Sequence, residues 1–390
     1  MQKSRNNWRL YLKEKLYNII NLLNELLKGN YNAAESNNID TYALYQSLLN
    51  HRLNILLYPV IRCYYKEDDS KRDQLFKEWT SIVQKNTFLN LIYVQQISVI
   101  YSLLISNGLT PLIIKGLAVS RYYKYPQYRS IGDLDILVGD SEWNRAIEVL
   151  IQHGYQQIND DSNPLHIEFI KKNSIMIELH KQLIHTGYLG ERNTTKWYKF
   201  IWEHKQQLIV DGIKFYALSN EDELINQVTH FASHFIYHGT RLQHIFEISL
   251  IININSKLNW EYITETLNLI EFIPFAKLLF SICKTYFNSA IPENLCNTEY
   301  IIQKDFIENL FEYFSIEKNK GDFRGWINIL SNYRFIFKHR LLQPMAFFIE
   351  LKSQIKIHGF ILPFIIKNTF RNMKMINKKL HIIRNYGFMI

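Results

Sequence analysis

Apolar residues recur every three or four positions along most of this chain, a spacing that predicts amphipathic helices. "LYNIINLLNELL" (residues 16–27) and "FLNLIYVQQISVIYSLLISNG" (residues 88–108) carry it most clearly. Each lays its Leu and Ile side chains on one stripe, and Gly108 after Asn107 reads as a helix C-cap. Then the period changes. "TPLIIKG" is a short apolar strand ending at Gly116, and "LAVSRYYKY" reads as a helix closed by Pro126. "DLDILVG" alternates like a second strand, with Leu134, Ile136 and Val138 on one face and Asp133, Asp135 and Leu137 on the other. "SEWNRAIEVLIQHG" predicts a helix with Ser141 as N-cap and Gly154 as stop, and Trp143, Ile147 and Leu150 on a common face. "HIEFIKK" and "SIMIELH" flank Asn173-Ser174 and read as a hairpin. From about Asn220 the helical spacing returns and continues towards the C-terminus. The acids of "SNEDELINQV" follow a Ser219 or Asn220 cap, where the helix dipole favours negative charge.

These elements predict an α+β protein: a small mixed β-sheet flanked by N- and C-terminal helical segments. The expected division is a helical region at 1–108, an α/β module at 109–218 and a helical region with a basic tail at 219–390. No internal repeat or low-complexity linker interrupts the chain. Apolar residues make up 47% of it and aromatic residues 14%, enough for packed cores, which argues against disorder.

Charge changes the picture only at the C-terminus. Residues 338–390 hold ten Lys/Arg with Glu350 as their one acid, which accounts for the whole chain's +9. Such a tail suits nucleic acid, an anionic membrane surface or an acidic partner. Its Ile, Phe and Leu at helix-like spacing also suit an ordinary solvated helical face. Cys63, Cys283 and Cys296 are scattered and form no CxxC or Cys/His metal spacing, so a reducing cytoplasm is expected. The N-terminus lacks the apolar core and small-residue cleavage site of a signal peptide. No run reaches about 18 uninterrupted apolar residues, so no membrane span is expected.

The chemistry concentrates where the alternation is acidic. Asp133 and Asp135 point the same way from one strand, and like charges so placed repel unless something neutralises them. In "SIMIELH", Met176, Glu178 and His180 share a face opposite Ile175, Ile177 and Leu179. If the two strands are neighbours, Asp133, Asp135 and Glu178 converge. At about 4 Å, two unit charges cost roughly 4 kcal/mol at an effective dielectric near 20, and a divalent cation turns that repulsion into binding. Oxygen-only ligands favour Mg²⁺ or Mn²⁺ over zinc. Ions held by shared carboxylates suit in-line displacement at phosphorus, where the attacking and leaving oxygens both need charge stabilisation.

"IIKGLAVSRYYKYPQYRSIGDLDILV" followed by "IMIELH" resembles the nucleotidyltransferase superfamily, whose fold is that of the DNA polymerase beta palm. More narrowly it is similar to an uncharacterised bacterial nucleotidyltransferase family, through Lys115-Gly116, Tyr125-Pro126, Arg129, Asp133, Asp135, Glu178 and His180. "THFASHFIYHGTRLQHIFEI" is similar to that family's helical part, through His230, His234, Arg241 and Glu247. The resemblance spans roughly residues 90 to 255. It implies Asp133, Asp135 and Glu178 as catalytic and metal-holding groups, with Mg²⁺ or Mn²⁺ as cofactor. It implies Lys115, Gly116, Ser120, Arg129, His180 and Arg241 at the nucleoside triphosphate. The superfamily turn is usually Gly-Gly or Gly-Ser; here Lys115 precedes the glycine and offers a phosphate-facing charge instead. The third acid is Glu rather than Asp, and Glu247 stands where Asp is expected.

The implied reaction transfers a nucleoside monophosphate to an acceptor hydroxyl with release of pyrophosphate. The acceptor is a small molecule or natural-product precursor, a peptide, or, in a toxin-type transferase, an RNA or protein. A non-catalytic nucleotide sensor or interaction scaffold is the alternative from another class. Simpler roles stand beside each residue. Asp133 and Asp135 could be charges that protect a strand edge, and Gly116 a plain turn glycine. Arg129 could salt-bridge the acids or be solvated, and His180 could end its strand. His230 and His234 have a metal-binding spacing, but Phe231 and Phe235 beside them point to packing or substrate contact. Nothing in the sequence sets the acceptor, the base or the oligomeric state.

Overall fold

The computed structural model describes residues 2–29, 41–63, 70–158, 166–184, 194–237 and 241–315. The basic tail lies outside them. Four helices lead: α1 (Gln2–Lys28), α2 (Thr41–Asn50), α3 (Tyr58–Cys63) and α4 (Ser70–Ser106). Gly108 ends the helical run at φ +79°, its N–H donating to Ile105 O at 2.9 Å. Then come β1 (Leu112–Ile114), the short α5 (Gly116–Ser120), β2 (Asp133–Leu137), α6 (Trp143–Gln152), β3 (Gln156–Gln157), β4 (His166–Ile170) and β5 (Met176–His180). After α7 (Thr195–His204), β6 (Gln206–Val210) and β7 (Ile213–Ala217) complete the sheet. The helices α8 (Asn220–Tyr237), α9 (Leu242–Ile254), α10 (Trp260–Leu269), α11 (Ile273–Phe287) and α12 (Tyr300–Ser315) close the described chain.

The mixed sheet has the order β3-β4-β5-β2-β1-β7-β6. Its centre decides the site. β2 runs parallel to β5 with Asp135 opposite Glu178, and antiparallel to β1 with Ile114 opposite Asp135. β4 and β5 form the predicted hairpin, turned by Asn173 at φ +60°.

Period-two alternation sends the two faces of these strands into different cores. Ile113, Leu134, Ile136, Ile177, Leu179 and Phe169 pack against α4 and α6, through Ile97, Ile100, Leu104, Val149 and Leu150. Leu112, Ile114 and Leu137 face the other way and join the core shared by α1, α2 and the C-terminal helices, with Phe231, Phe246 and Phe275 in it. Full burial of such a side chain contributes roughly 1.5–3 kcal/mol, so a one-residue slip of β2 would drive its carboxylates into the first core. The register is therefore strongly specified.

Three local expectations change. The helix after β1 ends at Ser120 rather than running to Pro126. Buried Tyr122 and Tyr123 and the hold of Arg121 Nη2 on Leu218 O and Asn220 Oδ1 (3.3 and 3.0 Å) turn the chain out of it. Ser141 does not cap α6, because a 3₁₀ turn at Asp140–Glu142 precedes that helix. Glu142 instead accepts from the N–H and hydroxyl of Thr110, tying the turn to the start of β1. The hairpin β6–β7 is a further strand pair beyond the predicted ones. Its turn, Asp211-Gly212, has φ +48° and +79°, the left-handed pair that a two-residue hairpin needs.

Helix α4 is also long and apolar enough over Asp73–Ser106 to cross a membrane by length and composition, although uninterrupted apolar runs predicted no span. In this fold it packs on the sheet, and its polar residues bind loops. Asn90 Nδ2 donates to the carbonyls of Gln127 and Arg129, and Asn90 Oδ1 accepts from Ile131 N. Gln96 grips the β4–β5 turn at Asn173 O and Ile175 N. These bonds aim the loop that feeds β2.

Candidate active site

The second face of the sheet also carries polar groups, among them the buried Asp135 and His180. From β1 across to β4 the row reads Lys115, then Asp133 and Asp135, then Glu178 and His180, then His166 and Glu168. Lys115 follows the last residue of β1 and adopts φ +54°, ψ −148°, a region that is nearly glycine-only. That backbone directs its ammonium across the sheet, where Nζ meets Asp135 Oδ1 at 2.8 Å. His180 Nε2 reaches the same oxygen at 2.9 Å and Glu178 Oε2 at 3.3 Å. One imidazole nitrogen thus spans the acids of two strands distant in sequence.

The electrostatics follow from this crowding. Asp133 is half-buried; desolvation, then the charges of Asp135 and Glu178, push its carboxyl up to about 6. Burial acts on Asp135 in the same direction, but Lys115 and His180 outweigh it and hold its carboxyl well below the usual range. Burial and the Lys115 charge pull His180 down, while its bonds to Asp135 and Glu178 carry it net upward. Burial likewise opposes the Lys115 ammonium, and the fields of Asp135, Glu178 and Asp133 raise it overall. The face is a trap for positive charge. Its three carboxylates are hard oxygen donors of the kind that Mg²⁺ and Mn²⁺ take; among the described residues, the ligand atoms that lie within 4.8 Å of one another are those of His166, Glu178 and His180.

Gly116, at φ +35°, opens α5 directly below this row. A Cβ there would stand 3.5 Å from Asp133 O, an ordinary contact, so the requirement for glycine is conformational and not spatial. The other expected residues are placed differently. Ser120 is buried, and its hydroxyl donates to Leu117 O within its own helix at 2.6 Å. Arg129 turns away from the acids of β2 to Glu247 on α9, Nε to Oε1 at 2.9 Å. Glu247 Oε1 also accepts from Tyr123 OH and Gln243 Nε2, at 2.8 and 3.1 Å. Glu247 therefore anchors the loop before Asp133 to the C-terminal helices. Burial would lower the Arg129 guanidinium, but Glu247 holds it above its ordinary value.

Arg241 stands at the N-terminus of α9, its backbone N–H donating to His244 Nδ1 at 3.1 Å. His230, His234 and His244 gather their rings, the first two with centroids 4.3 Å apart. Burial and the Lys115 charge force His230 well below its usual value. Burial, then Arg241, depresses His244 to about 3. His230 and His244 are thereby held neutral, and the Lys115 charge acts on both.

The residues that pattern reasoning passed over are His166 and Glu168, on the edge of the same face. The signal was present: His-x-Glu on β4 mirrors Glu-x-His on β5, and antiparallel pairing sets like opposite like.

An α+β chain with an acid-x-acid strand, a third acid on its parallel neighbour and a lysine–glycine turn beside them has the constitution of a nucleotidyltransferase-like protein. The chain belongs to the family described as uncharacterised nucleotidyltransferase, whose model matches residues 37–288. Among solved structures, the crystal structure of an antigenic nucleotidyltransferase-like protein from Paracoccidioides brasiliensis is similar to it. That likeness has 16% identity and a TM-score of 0.31, covering 52% of this chain and 95% of the other. No protein of curated function matches the chain.

Proposed function

We propose that this protein is a metal-dependent nucleotidyltransferase that moves a nucleoside monophosphate from a nucleoside triphosphate to an acceptor hydroxyl, releasing pyrophosphate. The observation that carries the reading is the meeting of Asp133, Asp135 and Glu178 on one sheet face beside the Lys115-Gly116 turn. Asp133, Asp135 and Glu178 would hold Mg²⁺ or Mn²⁺, which when bound would supply charge stabilisation for the oxygens around phosphorus. Lys115 would leave Asp135 for the triphosphate, and the backbone N–H groups opening α5 would bind its oxygens. Glu178, or one of the two aspartates, would accept the hydroxyl proton. Residues 109–218 would act as the catalytic module and the C-terminal helices would hold its Arg129 loop. The free thiols of Cys283 and Cys296 suit a reducing cytoplasm.

The test is incubation of purified protein with each labelled triphosphate, Mg²⁺ and a lysate. Labelled acceptor and released pyrophosphate, both lost in Asp135→Ala, are expected. Unchanged transfer in that variant would remove the mechanism. One observation favours a second reading, nucleotide binding without transfer: Lys115 replaces the usual glycine in a strained conformation, and its ammonium is turned to Asp135. Calorimetric binding of triphosphate with no pyrophosphate release would select it.

A further inference from the structure

The row of polar groups on the sheet has two chemically different ends. On β2 it offers only oxygen, from Asp133 and Asp135. On β5 and β4 it offers nitrogen as well, because His180 pairs with His166 across the strands and Glu178 pairs with Glu168. The two rings have centroids 5.0 Å apart. His166, Glu178 and His180 can each present one ligand atom so that all three lie within 4.8 Å of one another. From these contacts we infer a second cation site on β4–β5, for a divalent transition-metal ion held by His166, Glu178 and His180, with Glu168 as the next carboxylate.

Three features argue for a ligand there. First, like charges directly opposite on neighbouring strands are destabilising, and Glu168 stands directly opposite Glu178 on this face. Second, both rings show the arrangement of a ligating histidine, which passes one nitrogen to a carboxylate and keeps the other for the metal. His180 has Asp135 and Glu178 on Nε2, and its Nδ1 is buried with no hydrogen-bond partner although the side chain is only 2% exposed. His166 has Glu168 near Nε2, at 3.5 Å, and its Nδ1 is likewise buried without a partner. Third, imidazole with carboxylate selects Zn²⁺ or Co²⁺ over Mg²⁺, which prefers oxygen and retains its water. The site shares Glu178 and His180 with the proposed reaction but does not depend on it, since no triphosphate enters the argument. Where both sites are used, an ion on β4–β5 draws Glu178 away from β2.

The test uses full-length protein stripped with chelator. Zn²⁺ is titrated in competition with a chromophoric chelator, and Co²⁺ by its visible absorption, each with excess Mg²⁺ present. Tight Zn²⁺ binding that Mg²⁺ does not displace is expected, with a Co²⁺ spectrum showing nitrogen ligation. His166→Ala and His166→Gln should weaken it by at least about 100-fold, the upper end of what loss of an outer-shell partner costs. Asp133→Asn should leave it unchanged. Unfolding midpoints measured alongside identify a variant that fails to fold, and the milder Gln substitution then carries the result. Wild-type protein that takes Zn²⁺ no better than Mg²⁺ overturns the inference, as does equal affinity in both folded His166 variants. Failure of nucleotide transfer with His166-dependent Zn²⁺ binding intact sinks the reaction and leaves this site standing.

Discussion

Asp133→Asn should make the metal-free protein more stable at neutral pH while removing the proposed nucleotide transfer. Asp133 carries charge that the fold opposes: its carboxyl rises from 3.8 to about 6 through desolvation and the neighbouring charges of Asp135 and Glu178. The unfolded chain has no such environment. Below about pH 4 both states bind the proton and the group contributes nothing. Between about 4 and 6 the folded state keeps a proton that the unfolded state releases, and stability falls as pH rises. Above about 6 both states are ionised and the cost is complete. A shift of about two units corresponds to about 3 kcal/mol, and because Asp133 is partly exposed, screening reduces this to about 1–3 kcal/mol. An isosteric neutral amide removes that cost. The assay is urea unfolding of wild type and variant in chelator at pH 8, 6 and 4. The variant should gain at pH 8, with the gain vanishing by pH 4. Adding Mg²⁺ should raise the wild-type midpoint and leave the variant's nearly unmoved. A variant no more stable than wild type at pH 8 would refute the account of the site as carboxylates held against their own repulsion.

Glu247→Ala should cost about 3–5 kcal/mol, because it leaves the buried Arg129 guanidinium without its partner; chemical denaturation checks this, and a loss under about 1 kcal/mol would show Arg129 finding water. Asp135→Ala should abolish transfer and keep far-UV circular dichroism native, read by pyrophosphate release from the purified variant. Gly116→Ala should cost about 1–2 kcal/mol through its left-handed φ of +35° alone, since the new methyl meets only an ordinary contact; it should also weaken triphosphate binding by calorimetry, and unaltered affinity would take the turn out of the phosphate site.

Much of the site was legible locally. A period-two run with Asp133 and Asp135 on one side, and another with Glu178 and His180 on one side, states which face each strand turns to the core. The apolar partners Ile136 and Leu179 leave no other choice, since inverting either strand would bury charge. Gly116, Gly108 and the Asn173 turn were visible for the same reason: their backbone preferences belong to the residue and its immediate neighbours.

What required the tertiary structure was every relation between segments. That β5 lies parallel to β2 with Glu178 opposite Asp135 is a pairing across more than forty residues, chosen by the summed packing of both sheet faces. Arg129 goes to Glu247, 118 positions away, and not to the acids four residues on. His166 joins the acidic row only because β4 is the next strand over. Periodicity is a property of a dozen neighbouring dihedrals and can be read from a line of residues. Which distant groups share a field is settled by contacts whose free energy is spread over the whole folded chain.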